Sequence, residues 1–395
     1  MAELHAPLLR GEAPSVASVG SPRQLDVLVT VNAAWNVWNF RRPVIASLLA
    51  EGHRVTVLAP ADDSVASLEA MGCEFVALPM DRMGLHPLRD LALLRRLRRE
   101  FRARRPDVIL GYTIKSNLYG ALAARPLGIP FIPNVSGLGT AFLSGGALRA
   151  IVEMLYRAAF KLLPIVFFQN GEDRDLFVSR ELIQEQAARV LPGSGIDLNH
   201  FAPAEYPAPG QPPTFLLIGR LLRDKGVREF VEAASLVKQV HPEARFELLG
   251  PVDAQNRSSI DSATLAEWEK TRVIEYLAPC EDVREHIARA HCVVLPSYRE
   301  GAPRSLIEAA AMARPLITTD VPGCRSVVED CASGFLCAVH SGESLAQACL
   351  RFIELPRQAQ IDLGSVGRAK MEREFDEAIV IAAYQHAIAD VVENR

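Results

Sequence analysis

The sequence predicts an α/β protein made of two Rossmann-like domains. Three observations predict it. Short apolar runs alternate with amphipathic helical segments, the pattern of parallel βαβ units. A proline-rich break, FAPAEYPAPGQPP at Phe201–Pro213, interrupts that alternation, and the same pattern restarts behind it. The 395 residues also exceed what one hydrophobic core usually serves.

The elements follow in chain order. Residues 1–22 are rich in Pro, Gly and Ser and lack a long apolar core, so they read as a disordered lead without an export signal. The first domain, 23–203, has strand candidates at Leu25–Val31, Arg54–Leu58, Glu74–Leu78, Asp107–Leu110, Phe131–Pro133, Ile165–Gln169 and Arg189–Leu191. The second, 204–375, has them at Thr214–Ile218, Arg245–Leu249, Val273–Tyr276, Cys292–Leu295 and Pro315–Thr318. A last helix within 376–395 carries Ile381, Tyr384, Ile388 and Val391 at the spacing of one helix face, which suits packing back onto the first domain.

Composition narrows the class. Charged residues at 23% and hydrophobic residues at 49% describe an ordinary soluble globular protein, and a net charge of -4 gives no reason to expect nucleic acid. Seven cysteines, odd in number and without a CxxC pair, fit a reducing compartment; Cys324, Cys331 and Cys337 lack the histidine spacing of a zinc site. The apolar stretch Ala147–Phe168 is interrupted by Arg149, Glu153, Arg157, Lys161 and Pro164, too many breaks for a membrane span. A cytoplasmic location is expected, and residence on the inner membrane face stays open. Between Arg89 and Arg105, eight arginines stand against Asp90 and Glu100 with leucines at helical spacing, either a solvated face or a surface for anionic headgroups.

The chemistry concentrates in the second domain. YREGAPRSLIEAAAMA, Tyr298–Ala313, sets Glu300 just before a helix that Pro303 favours and Glu308 within it. Eight helical residues would separate the two carboxylates by about 12 Å. A glycosidase pair stands roughly 5 to 9.5 Å apart, so the spacing suits instead a long ligand met by an acid at each end. The apolar run Cys292–Leu295 before it reads as a buried strand, whose carboxyl end is where open α/β sheets bind ligands. In GRLLRDKG, Arg220 and Lys225 follow the first strand of this domain and can clamp a pyrophosphate, holding charge as it departs. Neither a Walker loop nor a G-x-G-x-x-G turn is present, which disfavours ATP and nicotinamide chemistry. Asp173 and Asp175 form a D-x-D triplet around Arg174; metal binding is one reading, acids at the start of a helix the other.

GRLLRDKG, LPGSGIDLNHF, EGAPRSLIEAAAMARPLITTDVPGCRSVVED and the terminal helix together resemble the retaining glycosyltransferases of family 4, from about Leu25 onward. That resemblance implies the GT-B fold, two Rossmann-like domains facing each other across a cleft, with a UDP-sugar as donor substrate and neither metal nor other cofactor. It implies that Arg220 and Lys225 grip the donor diphosphate, that Glu300 faces the sugar, and that Glu308 bonds the ribose. Gly301, Ala302 and Pro303 would line the sugar, and Tyr276 and Leu277 would receive the base. VNAAWNVWNFRRPVIASLLAEGHRVTVLAP, GYTIKSNLYGALAARPLGIPFIPNVSGLGTAF and FFQNGEDRDLF are similar to bacterial enzymes that extend polyprenyl-diphosphate-linked sugars. The first domain is then expected to receive a lipid-linked saccharide at the membrane surface, with Asn32, Trp35, Tyr112, Lys115 and Ser136 as candidate contacts. Relatives often have histidine near Tyr112 and Ser136, so no side-chain base is assigned. Trp35 and Trp38 serve equally as packing residues.

Two rival functions use the same fold. A nucleotide-sugar epimerase would convert the donor without an acceptor and calls for more acid and base groups in the cleft. A non-catalytic nucleotide-sugar sensor would bind without turnover.

Overall fold

Val27, Leu28 and Val29 are apolar on both faces of the first strand, as a parallel strand covered by helices on each side requires. A computed structural model describes residues 23–81, 86–138, 146–253, 256 and 258–393; the expected lead at 1–22 lies outside the described residues. The first lobe contains β1 (Asp26–Thr30), α1 (Ala34–Phe40), α2 (Arg42–Ala50), β2 (Arg54–Ala59), α3 (Val65–Ala70), β3 (Glu74–Ala77) and α4 (Pro87–Arg104). It continues through β4 (Val108–Tyr112), α5 (Ile114–Ala124), β5 (Phe131–Val135), α6 (Gly146–Phe160), β6 (Val166–Phe168), α7 (Gly171–Ser179) and β7 (Ala188–Val190). Its strands are parallel in the order β3-β2-β1-β4-β5-β6-β7.

The second lobe contains β8 (Thr214–Ile218), α8 (Val227–Val240), β9 (Arg245–Leu249), α9 (Ser262–Lys270), β10 (Glu275–Leu277), α10 (Arg284–Arg289) and β11 (Cys292–Leu295). Then come α11 (Arg304–Ala311), β12 (Leu316–Thr319), α12 (Cys324–Val327), β13 (Gly334–Cys337), α13 (Gly342–Glu354) and α14 (Arg357–Glu374). The parallel order here is β10-β9-β8-β11-β12-β13. The last helix, α15 (Glu377–Glu393), buries Val380, Tyr384, Ile388 and Val391 in the core of the first lobe.

The proline-rich segment is no free tether. Arg314, 1% exposed, donates to the carbonyls of Ala204 (3.0 Å), Ile287 (3.1 Å) and Ala288 (2.8 Å). Tyr206 is buried, and Arg357 donates to the Pro207 carbonyl. The segment therefore lies on the second lobe. Leu191 belongs to a first-lobe core and Ile196 to a second-lobe core. The chain returns between Phe375 and Val380, and the two crossings bond each other: Ile196 N–H to the Phe375 carbonyl at 2.9 Å, Glu377 N–H to that of Ile196 at 3.1 Å.

Candidate active site

Each sheet reverses its strand order beside its first strand, between β1 and β4 and between β8 and β11, and such switch points open a crevice at the carboxyl ends. The two crevices face one another. Asn32, Thr113, Lys115, Ser136 and Gly137 from the first lobe and Arg220, Lys225, Arg299, Glu300 and Gly301 from the second line one cavity of about 680 Å³. Ligand sites commonly span about 300 to 1,000 Å³. A second cavity, about 570 Å³, lies by Pro130, Phe131 and Ile165 at the amino ends of β5 and β6, away from these groups.

Local sequence explains the second-lobe wall. After β8 the chain makes a short 3₁₀ turn, Arg223–Lys225, and Gly226 at φ 71° starts α8. A Cβ on Gly226 would lie 2.0 Å from the Pro296 carbonyl, so glycine lets this loop press against the end of β11. Lys225 then meets Glu300 directly, its ammonium donating to Oε1, while Ser297 Oγ donates to the same oxygen at 2.6 Å. Arg220 reaches outward, 56% exposed, and pairs with Asp253 at 3.3 Å. The cations expected to meet a diphosphate are thus present, each engaged with a carboxylate that an anionic ligand would displace.

The other acid is placed differently. Pro303 is the N-cap of α11, one position earlier than the first turn, and Glu308 accepts from Arg304 Nε at 2.6 Å. Burial pushes the Glu308 carboxyl up from its ordinary range, and Arg304 offsets part of that rise. Arg304 also reaches Ser194 Oγ at 3.3 Å. Tyr276 donates its hydroxyl to the Gly250 carbonyl at 3.0 Å, and Leu277 packs against the second-lobe core.

Three first-lobe expectations need correction. Tyr112 is 1% exposed, its ring 6.1 Å from Tyr384 and beneath the Arg41 guanidinium, so it is a core residue and not an acceptor contact. Trp35 is 53% exposed and packs edge-to-face on Phe40 without lining the cavity. Lys115 does line it, but its ammonium is bonded at 2.8 Å to Asp90, whose side chain, 6% exposed, is less open to exchange than those of Glu300 at 13% and Asp253 at 31%. Asn32 and Ser136 stand on the wall where expected residues would meet an acceptor.

Sequence reading missed Thr113 and Arg299. Thr113 adopts φ 70°, ψ 155°, a region kept almost wholly for glycine and costing about 1 to 3 kcal/mol, and its buried hydroxyl oxygen has no partner. Arg299 is bonded to Asp173, which ties up the first acid of the D-x-D triplet, while Asp175 pairs with Arg174.

Comparison with known proteins agrees with this architecture. Residues 37–194 match the model of the Glycosyl transferase 4-like domain, and residues 200–369 match that of Glycosyl transferases group 1. The N,N'-diacetylbacillosaminyl-diphospho-undecaprenol alpha-1,3-N-acetylgalactosaminyltransferase of Campylobacter jejuni is 26% identical over 379 residues, 92% of this chain and 98% of that relative. The UDP-Gal:alpha-D-GlcNAc-diphosphoundecaprenol alpha-1,3-galactosyltransferase of Escherichia coli is 23% identical over 67% of this chain and 70% of its own. The crystal structure of Anabaena HepE in complex with UDP and glucose superposes with a TM-score of 0.74 at 17% identity, covering 93% of this chain and all of that one. At that identity the superposition speaks for the fold alone.

Proposed function

We propose for this chain, whose two lobes match the Glycosyl transferase 4-like domain and the Glycosyl transferases group 1 model in turn, a retaining, metal-independent transfer of a hexose or N-acetylhexosamine from a UDP-sugar to a polyprenyl-diphosphate-linked saccharide. The setting is the assembly of bacterial surface glycans or glycoproteins. The observation that carries the reading is the Lys225–Glu300–Ser297 cluster at the carboxyl end of β11, facing the polar wall of Asn32 and Ser136.

In this reading the donor diphosphate takes Lys225 from Glu300 and Arg220 from Asp253, exchanging carboxylate partners for phosphate oxygens. Both cations then hold the negative charge that grows as the bond between the sugar carbon and the diphosphate oxygen breaks. Glu300, released, faces the sugar near that carbon. The acceptor hydroxyl attacks from the face the diphosphate leaves, its proton passes to the departing phosphate oxygen, and configuration is kept. Gly301, Ala302 and Pro303 border the sugar. Glu308 reaches the ribose by giving up Arg304, and the base lies near Tyr276 and Leu277. Among the described residues no helix is long and apolar enough to cross a membrane. The outward face of α4, with Leu88 76% exposed and Arg95, Arg98, Arg99 and Arg102 exposed, supports a peripheral position on anionic lipid, where the acceptor would be found.

The test is UDP release and product analysis with a panel of UDP-sugars and polyprenyl-diphosphate-linked saccharides. Transfer is expected in the wild type and a loss of about a hundredfold or more in folded Glu300→Gln. Full turnover in that variant, or an isomerised donor formed without acceptor, overturns the assignment. EDTA is expected to leave the rate unchanged; strong inhibition would restore the metal reading of Asp173 and Asp175.

A further inference from the structure

The loop around Glu300 is held from both lobes, residue by residue. Tyr298 turns home: its hydroxyl donates to Glu229 at 2.7 Å and its ring centroid lies 3.8 Å from that of His340. Glu300 also stays home, on Lys225 and Ser297. The residues on either side of it go the other way. Arg299 donates its guanidinium to Asp173 Oδ1, a carboxylate 1% exposed in the first lobe. The Gly301 carbonyl accepts from Asn170 Nδ2 at 2.9 Å.

Asn170 and Asp173 form one unit. Asn170, 3% exposed, is the N-cap of α7: its Oδ1 accepts the Asp173 N–H at 2.8 Å, and its Nδ2 lies 3.2 Å from Asp173 Oδ2. Gly301 is pressed so closely to the first lobe that a Cβ there would lie 2.3 Å from the Ser136 carbonyl oxygen. Nearby, Glu172 and Arg325 add an exposed pair across the lobes at 2.7 Å, of a kind that contributes little. The Asp173–Arg299 pair is different, because Asp173 is 1% exposed and loses its charged partner when Arg299, 22% exposed, is taken away. Burial pushes the Asp173 carboxyl up, and Arg299 and Asn170 offset part of that rise, so the contact is sustained by both.

We propose that Asn170 and Asp173 are positioning residues, which fix the backbone on both sides of Glu300 so that this carboxylate is in register for reaction only when the lobes are closed. The proposal rests on the role given to Glu300 above. Its consequence is that a donor held by the second lobe alone stays unreactive toward water until the acceptor-bearing lobe arrives.

The test uses the full chain with Asp173→Asn, Asp173→Asn combined with Arg299→Gln, and Arg299→Lys. Transfer rates, calorimetric UDP affinity and the radius of gyration in saturating UDP are measured for each. Asp173→Asn is expected to lower kcat by about tenfold to a hundredfold, the cost of a small misplacement. UDP affinity should change by no more than about twofold, and the double variant should be no worse than the single one. Arg299→Lys, which keeps a cation for Asp173, should retain more of the rate than Asp173→Asn. Unchanged kcat, or UDP affinity falling in step with kcat, overturns the proposal. Should Asp173→Asn fail to fold, the double variant, which leaves no unpaired charge, carries the same measurements. A wild type without any transfer activity defeats the proposed function instead; the clasp is then decided by scattering, with a more open variant supporting it and equal closure refuting it.

Discussion

The two walls of the cleft are finished in opposite ways. On the second lobe the charged groups are matched with one another: Lys225 with Glu300, Arg304 with Glu308, Arg220 with Asp253. On the first lobe, two buried oxygens of residues that line the cavity, Thr113 Oγ1 and Asn117 Oδ1, lack partners. A wall of paired charges is suited to exchange, since an incoming anion replaces one carboxylate partner with another at modest net cost. A wall of unpartnered amide and hydroxyl oxygens is suited to a neutral ligand or water that donates hydrogen bonds, as saccharide hydroxyls do. Under the proposed function, that difference suits the anionic donor to one side and the saccharide hydroxyls to the other.

Separate perturbation of each wall sharpens the contrast most. Lys225→Ala should cost about 10² to 10³ in kcat/KM, comparable to losing a donor aimed at developing charge. Asn32→Ala on the facing wall should instead raise KM for the lipid-linked acceptor several-fold and leave UDP affinity alone. Equal effects of both variants on both substrates would erase the distinction. Next in size is Gly301→Ala, whose methyl group meets the Ser136 backbone and forces the walls apart. Transfer should fall by roughly tenfold or more, with little change in unfolding midpoint; an unaffected rate would show that the walls need not touch.

The smallest effect separates the lobes by acid. His291, 7% exposed, accepts the Thr214 N–H at 3.2 Å, and burial, aided by Arg357 and Arg314, lowers its pKa to about 4 from 6.5. The unfolded chain therefore takes up this proton first as pH falls. The stability its neutral ring contributes is present above pH 6.5 and lost toward about pH 4, by at most about 1.4 kcal/mol per pH unit. Urea midpoints at pH 7 and pH 5 should differ less in His291→Asn than in the wild type, with the difference confined to the second lobe. Parallel titration of the two proteins would remove His291 as its source.

Local pattern carried much of this in the sequence. The runs at Thr214–Ile218, Arg245–Leu249 and Cys292–Leu295 are strands over those same residues; the first and last are almost wholly buried and read as apolar runs, while RFELL alternates at its exposed start. β13, only GFLC, is too short and too close to turn residues to register as a period. Arg220, Lys225 and Glu300 all line the cavity, where glycine-bounded loops follow the carboxyl ends of strands. Tyr112 was misread because the last residue of a strand can face core or cleft, and Tyr384, far along the chain, decides which. Lys115 and Arg299 were obscure for a similar reason: Asp90 and Asp173, which engage them, come from other elements. Proline content identified 201–213 as irregular, but nothing local announces that Arg314 and Arg357 strap it down.

That strapping has a mechanical outcome. With the proline-rich stretch riding on the second lobe, both crossings of the chain lie at one seam, where Ile196 is bonded to Phe375 and Glu377. An opening that parts the contacts of Arg299 and Gly301 while keeping those of Ile196 would be a rotation about that seam. Ala302 and Arg304 sit against Gly193 and Ser194 beside that seam, so under the proposed function the part of the loop given to the sugar would travel least and the far rim most.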